Sequence, residues 1–337
     1  MADAKFLLVR LGSLGDIVHT LPAASALRDS FPNSHIDWVV DAKWARLLEG
    51  NPDISNVIAL DRKSAGGIRA TVQKLRSANY SCAVDFQALY KSALLPLWAR
   101  VPQRIGFKSS YAREGLAALL YTQTLNPRGP HKVDHNLTLV ESTGARASRV
   151  RFPMAIQAQD EEIVSRALAT HNLTEFFVLN PGGGWRSKCW PAERYGELHR
   201  RLYESHGWRG VLTFGPGEQG LAEQAKRTAG DSPMALIEVG LGPLMALLRR
   251  ARFVVSADTG PLHLASALGA PTIGLFGPTD PARNGPFSRD DVSVRNPGAS
   301  VTTYKRGKDF AASMLSIKVE QVVRAIETRL ARASTCA

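Results

Sequence analysis

Strand-like apolar runs at 6–11, 36–40, 57–60 and 82–86, each followed by a helical pattern, constrain this chain more than any other feature. Strands that alternate with helices pair in parallel, because each helix carries the chain back across the sheet and buries its apolar stripe on it. The alternation then begins again, with strands expected at 176–179, 210–214, 235–238, 253–256 and 272–276. Between the two series, 145–159 has no helical period and contains Pro153, which marks a boundary. The expected fold is α/β, with two Rossmann-like domains at 1–155 and 156–337 facing a central cleft. An amphipathic helix expected at 317–332 ends the chain and is free to pack back on the first domain.

Composition narrows the function classes. With 44% hydrophobic and 21% charged residues, neither a disordered nor a fibrous chain is expected. The short apolar run at 6–9 is closed by Arg10 with no cleavage site after it, so it reads as a first strand and not as a signal peptide. No apolar stretch approaches the roughly 20 residues needed to cross a bilayer. Cys82, Cys189 and Cys336 show neither CxxC spacing nor an even framework, which fits a reducing cytoplasm and argues against a structural zinc site. The net charge of +12 predicts attraction to a polyanion: nucleic acid, anionic lipid, or a phosphorylated and carboxylated substrate. Basic residues fall in short clusters, Arg249, Arg250 and Arg252 or Lys305, Arg306 and Lys308, without a zinc-finger, helix-turn-helix or RNP pattern, so nucleic acid is not the expected partner.

Three constellations carry chemistry. The turn Gly12-Ser13-Leu14-Gly15 after the first strand lets the backbone approach a ligand, and Asp16 opens a helix expected at 16–30. By spacing alone Asp16 is first of all a helix cap. After the strand at 176–179, Gly182, Gly183 and Gly184 lead to Ser187 and Lys188, and Pro191 fits the first position of a helix at 192–206. Consecutive glycines expose backbone N–H groups and a lysine adds a point charge, a combination that suits a phosphate. The third is a strand running through Asp258, Thr259 and Gly260 into a helix that carries His263 and ends at Gly269. The N-terminus of that helix favours a diphosphate. Asp258 could equally be its cap, and His263 a buried structural histidine.

These residues resemble glycosyltransferase family 9, the lipopolysaccharide heptosyltransferases, over nearly the whole chain. VRLGSLGDIVHTLPA looks like that family's opening motif, and Ile36-Asp37-Trp38-Val39-Val40 like its second strand. Residues 85–92 are similar to its DxQGLxKSA segment and Ala112-Arg113-Glu114 to its AREPL segment. Trp190-Pro191, 255–263 and 277–281 resemble its C-terminal signatures. Ala88 departs from the family's glycine, the Gly182 to Gly184 run replaces a loop with hydroxyl side chains, and Arg62 and Lys63 stand where the family has a longer basic run.

The resemblance implies a GT-B fold and inverting, metal-independent transfer of heptose from ADP-heptose to the 5-hydroxyl of a Kdo residue on lipid A, with no cofactor. It implies Asp16 as catalytic base and Lys188 as the group that stabilises the leaving ADP. Donor contacts are expected from Gly15, Gly182, Gly183, Gly184, Ser187, Lys188, Glu218, Asp258, Thr259, Gly260 and His263. Acceptor contacts are expected from Ser13, Gly15, Arg62, Lys63, Gln87, Lys91 and Arg113. A cytoplasmic monomer, peripheral on the inner membrane, is the expected state. The readings left open are another family 9 transferase, such as heptosyltransferase II, and a non-catalytic nucleotide- or polyanion-binding module. A nicotinamide dehydrogenase is disfavoured, because the GxGxxG fingerprint is absent.

Overall fold

The structure, a computed structural model, describes residues 4–299, 302, 303, 307 and 309–334. Cys336 and the Lys305, Arg306 and Lys308 cluster lie outside them. The chain divides into two compact units, between Ala155 and Ile156.

In the first unit, β1 (Lys5–Val9), β2 (His35–Asp41), β3 (Asn56–Leu60), β4 (Cys82–Asp85), β5 (Gln103–Phe107) and β6 (Gln123–Leu125) form one sheet in the order β3-β2-β1-β4-β5-β6. All five pairings are parallel, with Phe6 opposite Ile36 and Cys82 in the central strands. Helices α1 (Leu14–Val18), α2 (Leu21–Ser30), α3 (Ala65–Ser77), α4 (Tyr90–Trp98) and α5 (Lys132–Glu141) connect and cover it. Leu7, Val9, Val39, Ile58, Leu75, Ala83 and Leu95 share one buried cluster of this unit. Near-continuous apolar strands are what a parallel sheet needs when helices cover both faces.

The second unit opens with α6 (Ala158–Thr170) and repeats the plan. Its strands are β7 (Phe177–Asn180), β8 (Gly210–Phe214), β9 (Ala235–Glu238), β10 (Val254–Ala257), β11 (Thr272–Leu275) and β12 (Val292–Val294). They are parallel in the order β12-β11-β10-β7-β8-β9. Helices α7 (Ala192–His206), α8 (Gln219–Ala229), α9 (Leu241–Arg250), α10 (Gly260–Ala267), α11 (Pro281–Asn284), α12 (Ala312–Leu315) and α13 (Val319–Ser334) complete it. Numbered within its own unit, this sheet also reads 3-2-1-4-5-6. The order reverses direction between β1 and β4 in one unit and between β7 and β10 in the other. Loops leaving the carboxyl ends of those strands are where open α/β sheets bind ligands.

Three expectations change. The single helix expected at 16–30 is two, because Pro22 has no N–H to give the Val18 carbonyl. Thr20 Oγ1 instead donates to the Asp16 carbonyl at 2.8 Å, and Asn136 Nδ2 fastens the break by donating to the His19 carbonyl at 2.9 Å. Strands β5, β6 and β12 escaped the apolar-run reading, since QRIGF is half polar and the other two have three residues each. The last helix has its apolar face in the core of its own unit: Val319, Val322, Ala325 and Ile326 join the cluster around Phe177, Trp190 and Phe253. Arg329 ties it to buried Asp291 at 2.8 Å.

Candidate functional site

Ser13 caps α1, and Asp16 stands at the third helical position. The carboxylate accepts from the Ser13 amide at 3.2 Å and hydroxyl at 2.9 Å, the reciprocal arrangement of a capping box. Asp16 therefore belongs to the cap without being the capping residue. Its other oxygen meets the Arg10 guanidinium at 2.5 Å, and Arg10 also donates to the Phe86 carbonyl. Burial would raise the Asp16 carboxyl, but the Arg10 and Lys132 charges, the Ser13 hydroxyl and His19 outweigh it and hold the group well below the usual carboxylate range. The side chain keeps 27% of its surface exposed, so an ionised oxygen borders solvent at the carboxyl end of β1. Gly15 lies buried in the first turn beneath it, and the Trp44 indole packs on Gly12.

The β4 exit loop holds the β1 exit loop in place. Gln87 Oε1 accepts from the Leu11 and Gly12 amides at 3.1 and 3.2 Å. Buried Asp85 in turn accepts from the Gln87 amide at 2.8 Å, Ser92 Oγ at 2.7 Å and the Tyr121 hydroxyl at 2.8 Å. Gln87, expected to contact acceptor, thus spends its carbonyl oxygen on positioning the loop that carries Asp16. Ala88 has φ +51, the left-handed conformation that favours glycine and costs a non-glycine residue about 1–2 kcal/mol. Lys91 and Arg113 are exposed at this end of the unit, where the Glu114 carboxylate accepts from the Tyr90 amide at 2.6 Å. Arg62 is fastened to Asp41 through Nε at 2.6 Å, whereas the exposed Lys63 spends only its backbone amide, on Asp61. The two are therefore not equivalent.

The second unit builds its counterpart between the β7 and β10 exits. Lys188 Nζ meets Asp258 Oδ2 at 2.7 Å and lies 4.5 Å from the Trp185 ring centroid. His263 Nε2 meets the other Asp258 oxygen at 3.1 Å. Asp258 is buried; burial raises its carboxyl, but His263 and Lys188 outweigh that and hold it well below the usual range. Asp258 is not the helix cap: Thr259 stands at the cap of α10, and Asp258 holds Lys188 and His263. Pro191 likewise stands one residue outside α7, at its N-cap.

The glycine loop is a packing device as much as an amide cradle. A Cβ on Gly182 would fall 2.2 Å from Glu218 Oε2, and one on Gly183 would fall 2.9 Å from Thr259 Cγ2, whereas Gly184 has open space. Glu218 is itself placed by accepting from the Gly215 amide at 2.9 Å. Ser187 is buried and its hydroxyl accepts from the Gly307 amide at 3.3 Å, which puts it in a structural role. Lys188, the Gly260 amide and the α10 dipole face one anion-accepting end, whereas the Thr259 amide, expected as a donor contact, is already spent on the Ala257 carbonyl at 2.6 Å. Among the described residues, no group of three or more His, Cys, Asp and Glu side chains could hold a metal ion.

Sequence reading missed Arg10, Asp85 and Trp185. Arg10 sits inside the opening motif and Asp85 inside the DxQ segment, but a buried arginine and a buried aspartate carry no signal of their partners in a linear sequence.

Comparison with known proteins places this geometry. Residues 68–312, more than half of the chain, match the model of glycosyltransferase family 9 (heptosyltransferase). Lipopolysaccharide heptosyltransferase 1 of Pseudomonas aeruginosa is 31% identical over 304 residues, covering 86% of this chain and 83% of that one. The protein of that name from Escherichia coli K12 is 31% identical over 87% of this chain and 94% of its own. Lipopolysaccharide heptosyltransferase 3 of E. coli K12 is 24% identical over 79% of this chain and 80% of its own. The structure of E. coli heptosyltransferase WaaC with ADP superposes with TM-score 0.76 at 27% identity, covering 98% of this chain and 99% of that one. Both parallel-sheet domains match, so the fold is GT-B. The chain belongs to glycosyltransferase family 9 and is a heptosyltransferase of lipopolysaccharide core biosynthesis.

Proposed function

We propose that this enzyme is of the heptosyltransferase I type, moving L-glycero-D-manno-heptose from ADP-heptose to the Kdo of Kdo-lipid A. The observation that carries the proposal is Asp16, an ionised and partly exposed carboxylate at the β1 exit, clamped by Arg10 and Ser13. The acceptor hydroxyl gives its proton to Asp16 as its oxygen forms the new bond to the anomeric carbon, and the bond from that carbon to the ADP oxygen breaks with inversion. A positioned base contributes typically about 10²–10⁴-fold. The charge left on ADP falls to Lys188, the Gly260 amide and the α10 dipole, without a metal or cofactor.

Two points support the donor reading. The relatives at 31% identity carry the heptosyltransferase 1 name, and one WaaC structure, with TM-score 0.75, holds ADP-2-deoxy-2-fluoro heptose. The acceptor end fits a carboxylated and phosphorylated lipid, since Lys63, Lys91 and Arg113 are exposed cations. We place the enzyme as a peripheral protein on the cytoplasmic face of the inner membrane; among the described residues no helix is long and apolar enough to cross a membrane.

Purified enzyme incubated with Kdo-lipid A and either ADP-heptose, ADP-glucose or a UDP-sugar tests this by nucleotide release and product mass. Transfer from ADP-heptose alone is expected. Asp16→Asn is expected to abolish turnover while ADP affinity stays unchanged, and near-normal turnover by a folded variant refutes the base assignment.

A further inference from the structure

The first unit leaves large apolar side chains in solvent beside its acceptor loop. Helix α4 and the short helix at Gly115–Leu120 pack on each other through Ala93, Ala117, Leu120 and Tyr121. Small residues at that contact bring the two elements close, and they turn Trp98, Leu116 and Leu119 away from it. Leu116 is 68% and Leu119 79% exposed, and Tyr90, Trp98 and Tyr111 are each about half exposed. In a helix with three residues per turn, Leu116 and Leu119 lie one above the other, which makes a single apolar stripe. Isolated exposed leucines need no explanation, but five large apolar side chains on two packed elements and the turn before them do.

The charges around them choose the occupant. Residues 86–125 hold Lys91, Arg100, Arg104, Lys108 and Arg113 against one acid, Glu114, whose carboxylate is already engaged with the Tyr90 amide. Lys91, Arg100, Lys108 and Arg113 are exposed. A second copy of the chain meeting this face would set like charges against one another. An anionic bilayer satisfies both features: leucine and tryptophan enter the boundary between headgroups and acyl chains while lysine and arginine pair with lipid phosphates.

We infer that α4 and the Gly115–Leu120 helix form the membrane-docking face of this enzyme, seated on anionic lipid. Rested on the proposed lipid-linked acceptor, the docking has a purpose, because the loop carrying Gln87 runs directly into α4, whose second residue is Lys91. Docking there delivers the acceptor loop to the surface in which the substrate is anchored.

Vesicle flotation tests the inference, with phosphatidylethanolamine vesicles containing about 25 mol% phosphatidylglycerol set against phosphatidylcholine vesicles. The wild-type enzyme is expected to float with the anionic vesicles only. A Leu116→Glu/Leu119→Glu variant, altered solely at exposed positions, is expected to lose about tenfold or more of that binding. The same variant is expected to keep wild-type turnover on a water-soluble acceptor lacking acyl chains and to slow on acceptor embedded in vesicles. Equal flotation of variant and wild type overturns the inference. So does a dimer that the variant disperses in the absence of vesicle binding. Vesicle binding without heptose transfer to any acceptor leaves the docking face standing and defeats the proposed reaction instead.

Discussion

Asp16 is held by opposing forces, and their balance bears on how it can act as a base. Burial favours its neutral form, while Arg10, Lys132 and the Ser13 hydroxyl favour the ion and prevail. A carboxyl depressed in the folded state stabilises the fold above its ordinary pKa, and that contribution is lost as pH falls through the lower folded value. Asp16 is therefore ionised across the physiological range, and no acidic limb of the pH–rate profile near neutrality belongs to it. Arg10→Met removes the nearest cation and leaves burial less opposed, so the carboxyl rises. The expected result is an acidic limb displaced to higher pH, with a lower kcat at its acidic end. A profile that keeps the wild-type limb would show that Arg10 does not tune Asp16. The opening motif and the aspartate within it were legible from sequence; the Arg10 clamp was not, because the Phe86 carbonyl that holds Arg10 lies at the β4 exit, which only the fold brings beside β1. Gln87 shows the same limit: the family resemblance implied an acceptor contact, and only the fold shows that its carbonyl oxygen also fastens the loop that carries Asp16.

At the scale of elements, the strand–helix alternation made both sheets legible, because parallel strands covered by helices must be apolar throughout. Short or half-polar strands such as β6 and β5 gave no such signal; their pairing with neighbours defines them. The phosphate-type loop was legible as a glycine run, but its three glycines differ in what they do. Gly183 lets Thr259 and the start of α10 close on the β7 exit, whereas a Cβ on Gly184 would meet only open space. Gly183→Ala puts a methyl group 2.9 Å from Thr259 Cγ2, and the threonine must yield by several tenths of an ångström. The α10 amides move with it, and misplaced donors lose much of their worth to a developing charge. A loss of about tenfold or more in ADP affinity is expected by calorimetric titration, against less than about twofold for Gly184→Ala. Equal losses from both would mean that the run serves flexibility alone.

The whole molecule carries a net charge of +12, and the two units use charge differently. In the second unit, Lys188 is paired with a carboxylate that is almost wholly buried, and the remaining donors are backbone amides at a helix end. Such short-range, partly desolvated interactions are weakly screened by salt. The cations of the first unit, Lys63, Lys91 and Arg113 with the docking rim of Arg100 and Lys108, stand in solvent, where attraction beyond about 10 Å is lost at 0.1 M ionic strength. A polyanionic acceptor attracted by that field gains in encounter rate, and the gain falls steeply with salt. Raising sodium chloride from about 50 to about 500 mM is therefore expected to lower kcat/KM for the lipid acceptor by about tenfold. The same change is expected to shift the dissociation constant of ADP by less than about threefold. Parallel loss of both would mean that the net charge acts through the nucleotide site. Insensitivity of both would mean that the excess of arginine and lysine serves solubility and not capture of the substrate.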